Sequence, residues 1–250
     1  MMVILKRPDE IEKMRASNII VAEILAALKE KTGPGVTTLE LDRYSEDLAR
    51  EKGAKPAFKG YRGYPFSLCT SVNAEVVHGM PSNRILKSGD ILSIDFGVRY
   101  KGYCGDSAIT VPVGDISREA GKLLQITEQS LYEGIQQARV GNRLGDVSAG
   151  VQRCVEVAGF SVVRDFGGHG IGKSLHEEPH VPNYGVAGRG IELKSGMVLA
   201  IEPMVNAGTY KVNILENGWT VVTQDGRLSA HFEHTVAITE QGPVILSLNP

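Results

Sequence analysis

The sequence predicts an α+β chain of two pseudo-symmetric halves, each a helical portion followed by antiparallel strands. Three internal echoes predict it. Residues 86–96 read LKSGDILSIDF and residues 193–203 read LKSGMVLAIEP; a glycine-bounded segment at 35–53 has a counterpart at 141–159; and His78-Gly79-Met80-Pro81 is echoed by His176-Glu177-Glu178-Pro179. A long period present only twice marks a duplicated unit and not a solenoid. The halves then fall at about 10–112 and 118–248, within one domain spanning residues 1–250.

Residues 4–30 keep Ile11, Met14, Ile19, Val21, Ile24, Leu25 and Leu28 at helical spacing and stop at Thr32-Gly33-Pro34-Gly35, a strong helix-ending string. A second helix is expected at 38–52, where Leu41, Tyr44 and Leu48 share a face. From 66 to 113 short β-branched runs punctuated by Gly and Pro read as strands and turns. Pro112-Val113-Gly114-Asp115 is the linker between halves. Helices return at 117–139, with Leu123, Leu124, Ile126, Leu131 and Ile135 buried, and at 141–159, with Val147, Val151 and Val155 in line. Beyond 160 the chain reads as strands and Gly-rich loops.

At 250 residues a core of sufficient size forms without covalent staples. Cys69, Cys104 and Cys154 are scattered and no CxxC pair occurs, so a reducing, cytoplasmic setting is expected. The opening MMVILKRPDEIEKMR turns charged after five residues, which argues against a signal peptide or a membrane span. With 27 basic and 29 acidic residues, a net charge of -2 and no long basic run, a direct nucleic-acid ligand is not expected.

The repeat matches Asp95 to Glu202, each at the end of the same apolar run, and a second acid follows each: Asp106 in GDSAIT and Glu233 in FEHTV. Asp95 falls on a strand at 91–100 and Asp106 on a strand at 106–113, with Lys101-Gly102-Tyr103 as the reversal. A hairpin symmetric about Tyr100 and Lys101 sets the two acids directly opposite, with Cβ atoms roughly 4.5–5.5 Å apart. Ile94, Phe96, Ala108 and Ile109 flank them and no basic residue shares their face, so the pair requires a cation. Four converging carboxylates call for two divalent metals. His169, in Gly167-Gly168-His169-Gly170-Ile171-Gly172, offers one softer ligand, and hard oxygens plus one imidazole suit Mn, Fe, Co or Zn.

The set Asp95, Asp106, His169, Glu202 and Glu233, with its DFG, GDSA, GHGIG, EPM and EHT strings, closely resembles type I methionine aminopeptidases of the short bacterial form, over essentially the whole chain. The resemblance implies the pita-bread (creatinase/aminopeptidase-like) fold closed around two divalent metal ions. It implies removal of N-terminal methionine from nascent polypeptides whose second residue is small. In that scheme Asp95 binds one metal through both oxygens, Asp106 and Glu233 bridge, and His169 and Glu202 complete the other; Glu202 also passes a proton to the leaving amine.

His78 would contact the scissile amide nitrogen and His176 the substrate carbonyl oxygen, whereas His180, His231 and His234 read as structural. Phe58, Tyr61, Tyr64, Cys69, Leu175 and Trp219 match the family's methionine pocket, whose aromatic and sulfur walls suit a polarizable thioether. Leu175 stands where the family commonly has an aromatic residue, and Phe58 where it has a smaller one. Asn73 and Ser229 match loop positions that hold a monovalent cation. The partners implied are nascent polypeptide N-termini, with ribosome association and a monomeric state as further expectations and no membrane. Two alternatives are a proline-directed aminopeptidase of the same fold, which usually carries an extra N-terminal domain, and a catalytically silent binding protein, which would have lost ligands.

Overall fold

A computed structural model describes residues 3–248. Helix α1 spans Pro8–Lys31 and α2 spans Thr38–Glu51. The first of these starts later than its apolar spacing predicts. Pro8 sits in the first turn and disfavours helical backbone at Arg7 (φ -74°, ψ 160°), so residues 4–7 stay extended, and the Lys6 N–H donates to the Gly196 carbonyl at 2.7 Å. The second opens on a capping box: Thr37 Oγ1 accepts from the Glu40 amide at 3.2 Å, and Glu40 Oε2 accepts from the Thr37 amide at 2.7 Å.

Strands β1 (Lys55–Pro56), β2 (Cys69–Val72), β3 (Glu75–Val77), β4 (Ile91–Tyr100) and β5 (Tyr103–Pro112) follow, then α3 (Arg118–Gln137) and α4 (Leu144–Val157). The remainder is β6 (Ser161–Val162), β7 (Gly167–Gly170), β8 (Glu177–Pro182), β9 (Val198–Ile201), β10 (Met204–Asn206), β11 (Val212–Ile214), β12 (Val221–Thr223), β13 (Ser229–His231), β14 (Glu233–Thr239) and β15 (Gly242–Ile245). Among the described residues the main sheet runs β1-β4-β5-β14-β9-β7-β8, with β2 added to β4 and β15 to β14.

Alternation along these strands separates a helix-covered face from an acid-bearing one. Leu92, Ile94, Phe96 and Val98 pack with Val21, Ile24 and Leu28 of α1, so Asp95 points the other way. Leu199, Ile201, Val236 and Ile238 pack with Leu131 and Ile135 of α3, so Glu233 and, beyond the end of β9, Glu202 share the face of Asp95. Each such side chain, fully buried, contributes about 1.5–3 kcal/mol. The cores thus orient the acids.

The β4–β5 register differs from the expectation. Lys101 (φ 48°) and Gly102 (φ 85°) both take positive φ, as a two-residue type I′ turn requires, so Tyr100 pairs with Tyr103. Asp95 therefore faces Ala108, and Asp106 faces Gly97. The two acids are diagonal neighbours on one face, not directly opposed, and β5 begins at Tyr103, not at Asp106.

Candidate active site

The five suspected ligands come from five strands that are consecutive in the sheet: Asp95 from β4, Asp106 from β5, Glu233 from β14, Glu202 immediately after β9, and His169 from β7. One ligand atom each from Asp106, His169 and Glu233 lies within 4.8 Å of the others. His169 Nε2 stands 3.6 Å from Glu202 Oε1 and 4.0 Å from Asp106 Oδ2. Its Nδ1 lies 2.9 Å from the Gly170 carbonyl. Donation from Nδ1 to that oxygen leaves the Nε2 lone pair directed at the acids, the arrangement a metal-ligating imidazole uses.

Asp95 Oδ1, Asp106 Oδ1 and Glu233 Oε1 are buried with no hydrogen-bond partner. Burial raises the pKa of all four carboxyls, and the repulsion of neighbouring acids adds to the rise at Asp95, Asp106 and Glu233. Orphaned carboxyl oxygens with one imidazole beside them fit divalent cations of the Mn, Fe, Co and Zn group. Gly97 is part of the construction: a Cβ there would stand 2.9 Å from the Phe58 ring and 3.0 Å from Asp106 Oδ1.

Above the acids opens a cavity of about 130 Å³, lined by Phe58, Tyr61, Tyr64, Cys69, Leu175 and Trp219 and by His78 and His176. Cys69 pairs with Asp95 across β2 and β4, which sets the sulfur wall beside the acid cluster. The Tyr64 ring meets Trp219 edge-on at 5.1 Å, and its hydroxyl lies 3.0 Å from the Leu68 carbonyl. His78 has φ 57°, its ring edge-on to Phe166 at 5.9 Å and to Trp219 at 6.5 Å. Burial, then the nearby His231, lowers its pKa to about 4. His176 stacks on Tyr61 at 5.2 Å, its Nδ1 lies 2.9 Å from the Tyr61 hydroxyl, and its ring centre is 4.1 Å from that of His169. Burial, then His169, Arg62 and His78, lowers its pKa to about 3.

Two side chains of this region escaped the sequence reading. His231, taken there as structural, is 1% exposed and points Nε2 at Glu202 Oε2 from 3.4 Å, with neither ring nitrogen hydrogen-bonded. Its position two residues before Glu233 is the signal that was available, because alternation puts both on one face. Arg62 lines the cavity mouth at φ 49°. His234 turns to the opposite side, with Nδ1 2.9 Å from Ser247 Oγ. Asn73 and Ser229 meet outside the cavity lining, where the Ser229 amide donates to the Asn73 carbonyl at 2.8 Å and Asn73 Nδ2 donates to Asp90 Oδ1 at 2.7 Å. No helix among the described residues is long and apolar enough to cross a membrane.

This architecture has close relatives. A methionine aminopeptidase from Clostridium perfringens is 57% identical over 247 residues, covering 99% of each chain. The crystal structure of a methionine aminopeptidase from Thermotoga maritima superposes with a TM-score of 0.98 at 45% identity, covering 99% of this chain and 100% of that one. The prolidase from Pyrococcus horikoshii shares the fold alone, with a TM-score of 0.80 at 23% identity over 65% of its own length. The sequence matches the metallopeptidase family M24 description from residue 12 to residue 240. That match across nearly the whole chain, on a pita-bread sheet whose consecutive strands bring Asp95, Asp106, Glu233, Glu202 and His169 to one face, places the chain in metallopeptidase family M24.

Proposed function

We propose that this chain removes the N-terminal methionine from polypeptides whose second residue is small. The observation that carries the reading is the aromatic- and sulfur-lined cavity set directly over Asp95, Asp106, His169, Glu202 and Glu233. Those five would hold the two divalent ions. Ions bound there would supply Lewis acidity toward the substrate carbonyl and a strong nucleophile from water at neutral pH.

The rest of the chemistry belongs to the chain's own side chains. With the Tyr61 hydroxyl donating to Nδ1, His176 carries its proton on Nε2. Its low pKa keeps the ring neutral and that N–H available to the carbonyl oxygen as negative charge develops. His78, pressed between Phe166 and Trp219, is placed for the scissile amide nitrogen. Glu202, its backbone carbonyl held by Asn183 Nδ2 at 3.0 Å, passes the proton to the leaving amine. Phe58, Tyr61, Tyr64, Cys69, Leu175 and Trp219 grip the thioether and exclude water. Substrates of this kind are nascent polypeptide N-termini, which together with three unpaired cysteines favours a cytoplasmic protein.

Protein stripped of metal by a chelator should not hydrolyse Met-Ala-Ser, and added Mn, Fe, Co or Zn should restore turnover with up to two ions per chain. Met-Lys-Ser should react poorly. Full activity without metal, or faster cleavage of Xaa-Pro substrates, would overturn the reading.

A further inference from the structure

A buried ion pair outside the acid cluster has no part in the chemistry above. Lys6, in the extended segment before α1, donates from Nζ to Glu177 Oε2 at 2.5 Å and to the Ile4 carbonyl at 2.9 Å. The two side chains are 5% and 9% exposed. The backbone of Lys6 is itself held, through the 2.7 Å bond to Gly196. Glu177 uses its second oxygen to accept from the Ser174 amide at 3.2 Å, so one carboxylate closes the loop 174–177 and joins it to the N-terminal segment. His176 lies inside that loop, next to Glu177.

The surroundings are shaped to admit the pair. A Cβ at Gly172 would stand 2.6 Å from both Lys6 Cε and Glu177 Oε1. The last glycine of the GHGIG string therefore has a defined use: it leaves the space through which the lysine reaches the glutamate. The same residue anchors the loop from below, its carbonyl accepting from the Cys104 amide at 2.8 Å. A buried ion pair contributes little net stability over apolar side chains of the same size, because desolvation offsets the attraction. What it does supply is direction, since the carboxylate must sit where both donors can reach it.

We propose that Lys6 and Glu177 are positioning residues that hold the His176 ring aimed into the cleft. The inference rests on reading His176 as the donor to the substrate carbonyl. Neither Lys6 nor Glu177 lines the cavity, so any effect on turnover must pass through the loop.

A kinetic cycle separates this from a general loss of stability. Single variants Lys6→Met and Glu177→Gln leave one buried polar partner unmet and can unfold; the combined Lys6→Met/Glu177→Gln protein leaves no charge unpaired and is the main probe. A displacement of about 1 Å at a catalytic group can cost up to ~100-fold in rate. We expect the combined variant to lose about ten-fold or more in kcat, with KM and metal affinity within about three-fold of the parent. In a His176→Ala background the same pair of substitutions should change kcat by less than about two-fold. In metal-free protein, the imidazole NMR signals of His176 should shift in the combined variant.

An equal loss in both backgrounds would mean that the pair supports the fold at large, and would overturn the proposal. So would an unchanged kcat in the combined variant alongside a strong loss in His176→Ala. If His176→Ala alone leaves kcat unchanged, the reading of His176 fails first and the positioning role falls with it.

Discussion

The two strand pairs that carry the acids occupy mirrored places in the sheet, β4-β5 on one side and β14-β9 on the other, yet they are joined in different ways. In the first pair a two-residue turn links ten-residue strands, so Asp95 and Asp106 sit on one continuous hairpin. In the second, residues 202–232 intervene between β9 and β14 and form β10 to β13, bringing Trp219 over the cavity and His231 against Glu202. The flanking strands also differ. Next to β4, β2 contributes the apolar Cys69; next to β9, β7 contributes His169. A shared sheet frame thus supplies a symmetric set of carboxylates, and the unequal connections make the site lopsided, with a sulfur wall at one end and imidazoles at the other. A polypeptide has a direction, and a cleft that must tell the amine end from the chain beyond it needs that asymmetry.

The symmetric part is tested by its central members. Asp106 and Glu233 come from the adjacent strands β5 and β14. Asp106→Asn and Glu233→Gln should each abolish tight metal binding and activity together. The loss should exceed the roughly 10- to 100-fold that follows removal of a group merely supporting a ligand. Titration calorimetry of divalent metal into metal-free protein reads the result. If one variant keeps two ions and the other keeps none, the two strand pairs are not equivalent and the bridging roles are wrongly assigned.

The asymmetric part is tested by the echoed turns. His176→Ala should lower kcat by about 100- to 1000-fold, the usual effect of losing one donor aimed at developing charge, with KM and metal content within a few-fold of the parent. His78→Ala should act on the same step with a smaller loss, because the role proposed for that ring, packed against Phe166 and Trp219, is toward the amide nitrogen and not the developing charge. A reversed order would exchange the two roles. Smaller again is the expected effect of His231→Leu. Removing the imidazole 3.4 Å from Glu202 should weaken metal binding by about ten-fold, at the low end of what supporting groups contribute, and spare KM. Unaltered affinity would return His231 to a packing role.

What the sequence made legible follows the same division. The acids could be read because each ends an apolar run whose alternate residues, Ile94 with Phe96 and Leu199 with Ile201, must face the helices, leaving Asp95 and Glu202 no other side. The start of α1 was misplaced because apolar spacing continues through Ile4, whereas the backbone obeys Pro8. The hairpin register was missed because it depends on Lys101 adopting positive φ, a conformation that residue type does not announce. His231 was missed for a different reason. It is brought to Glu202 by β13, which pairs with β10, and the one local signal, its place two residues before Glu233, gives its face but not that pairing. The Lys6–Glu177 pair is likewise a contact between distant segments, and only Gly172 hints at it.

The smallest expected effect concerns pH and distinguishes the carboxylate cluster from the histidines around it. Without metal, Asp95 and Glu202 have pKa values raised to about 7, and Asp106 and Glu233 are raised well above the usual carboxylate range. The folded chain therefore holds protons that the unfolded chain has released, and this stabilisation is lost as pH rises through the folded pKa values. His78, His176, His231 and His234 are shifted downward. They act in the opposite sense, but only below the ordinary histidine value of about 6.5, under which the unfolded chain takes up protons that the folded chain refuses. Between about pH 6.5 and 8 the carboxyls titrate alone. Each one still protonated in the fold then costs on the order of 1 kcal/mol of stability per pH unit. At about 2–4 °C per kcal/mol for a chain of this size, the melting temperature of metal-free protein should fall by several degrees across that window. Metal-loaded protein, whose acids are ionised in the folded and unfolded states alike, should lack this fall, so the stabilisation given by added metal should grow with pH. Parallel melting curves for the two forms would show that metal binding displaces no protons, and would sink the raised carboxyl pKa values of the metal-free cluster.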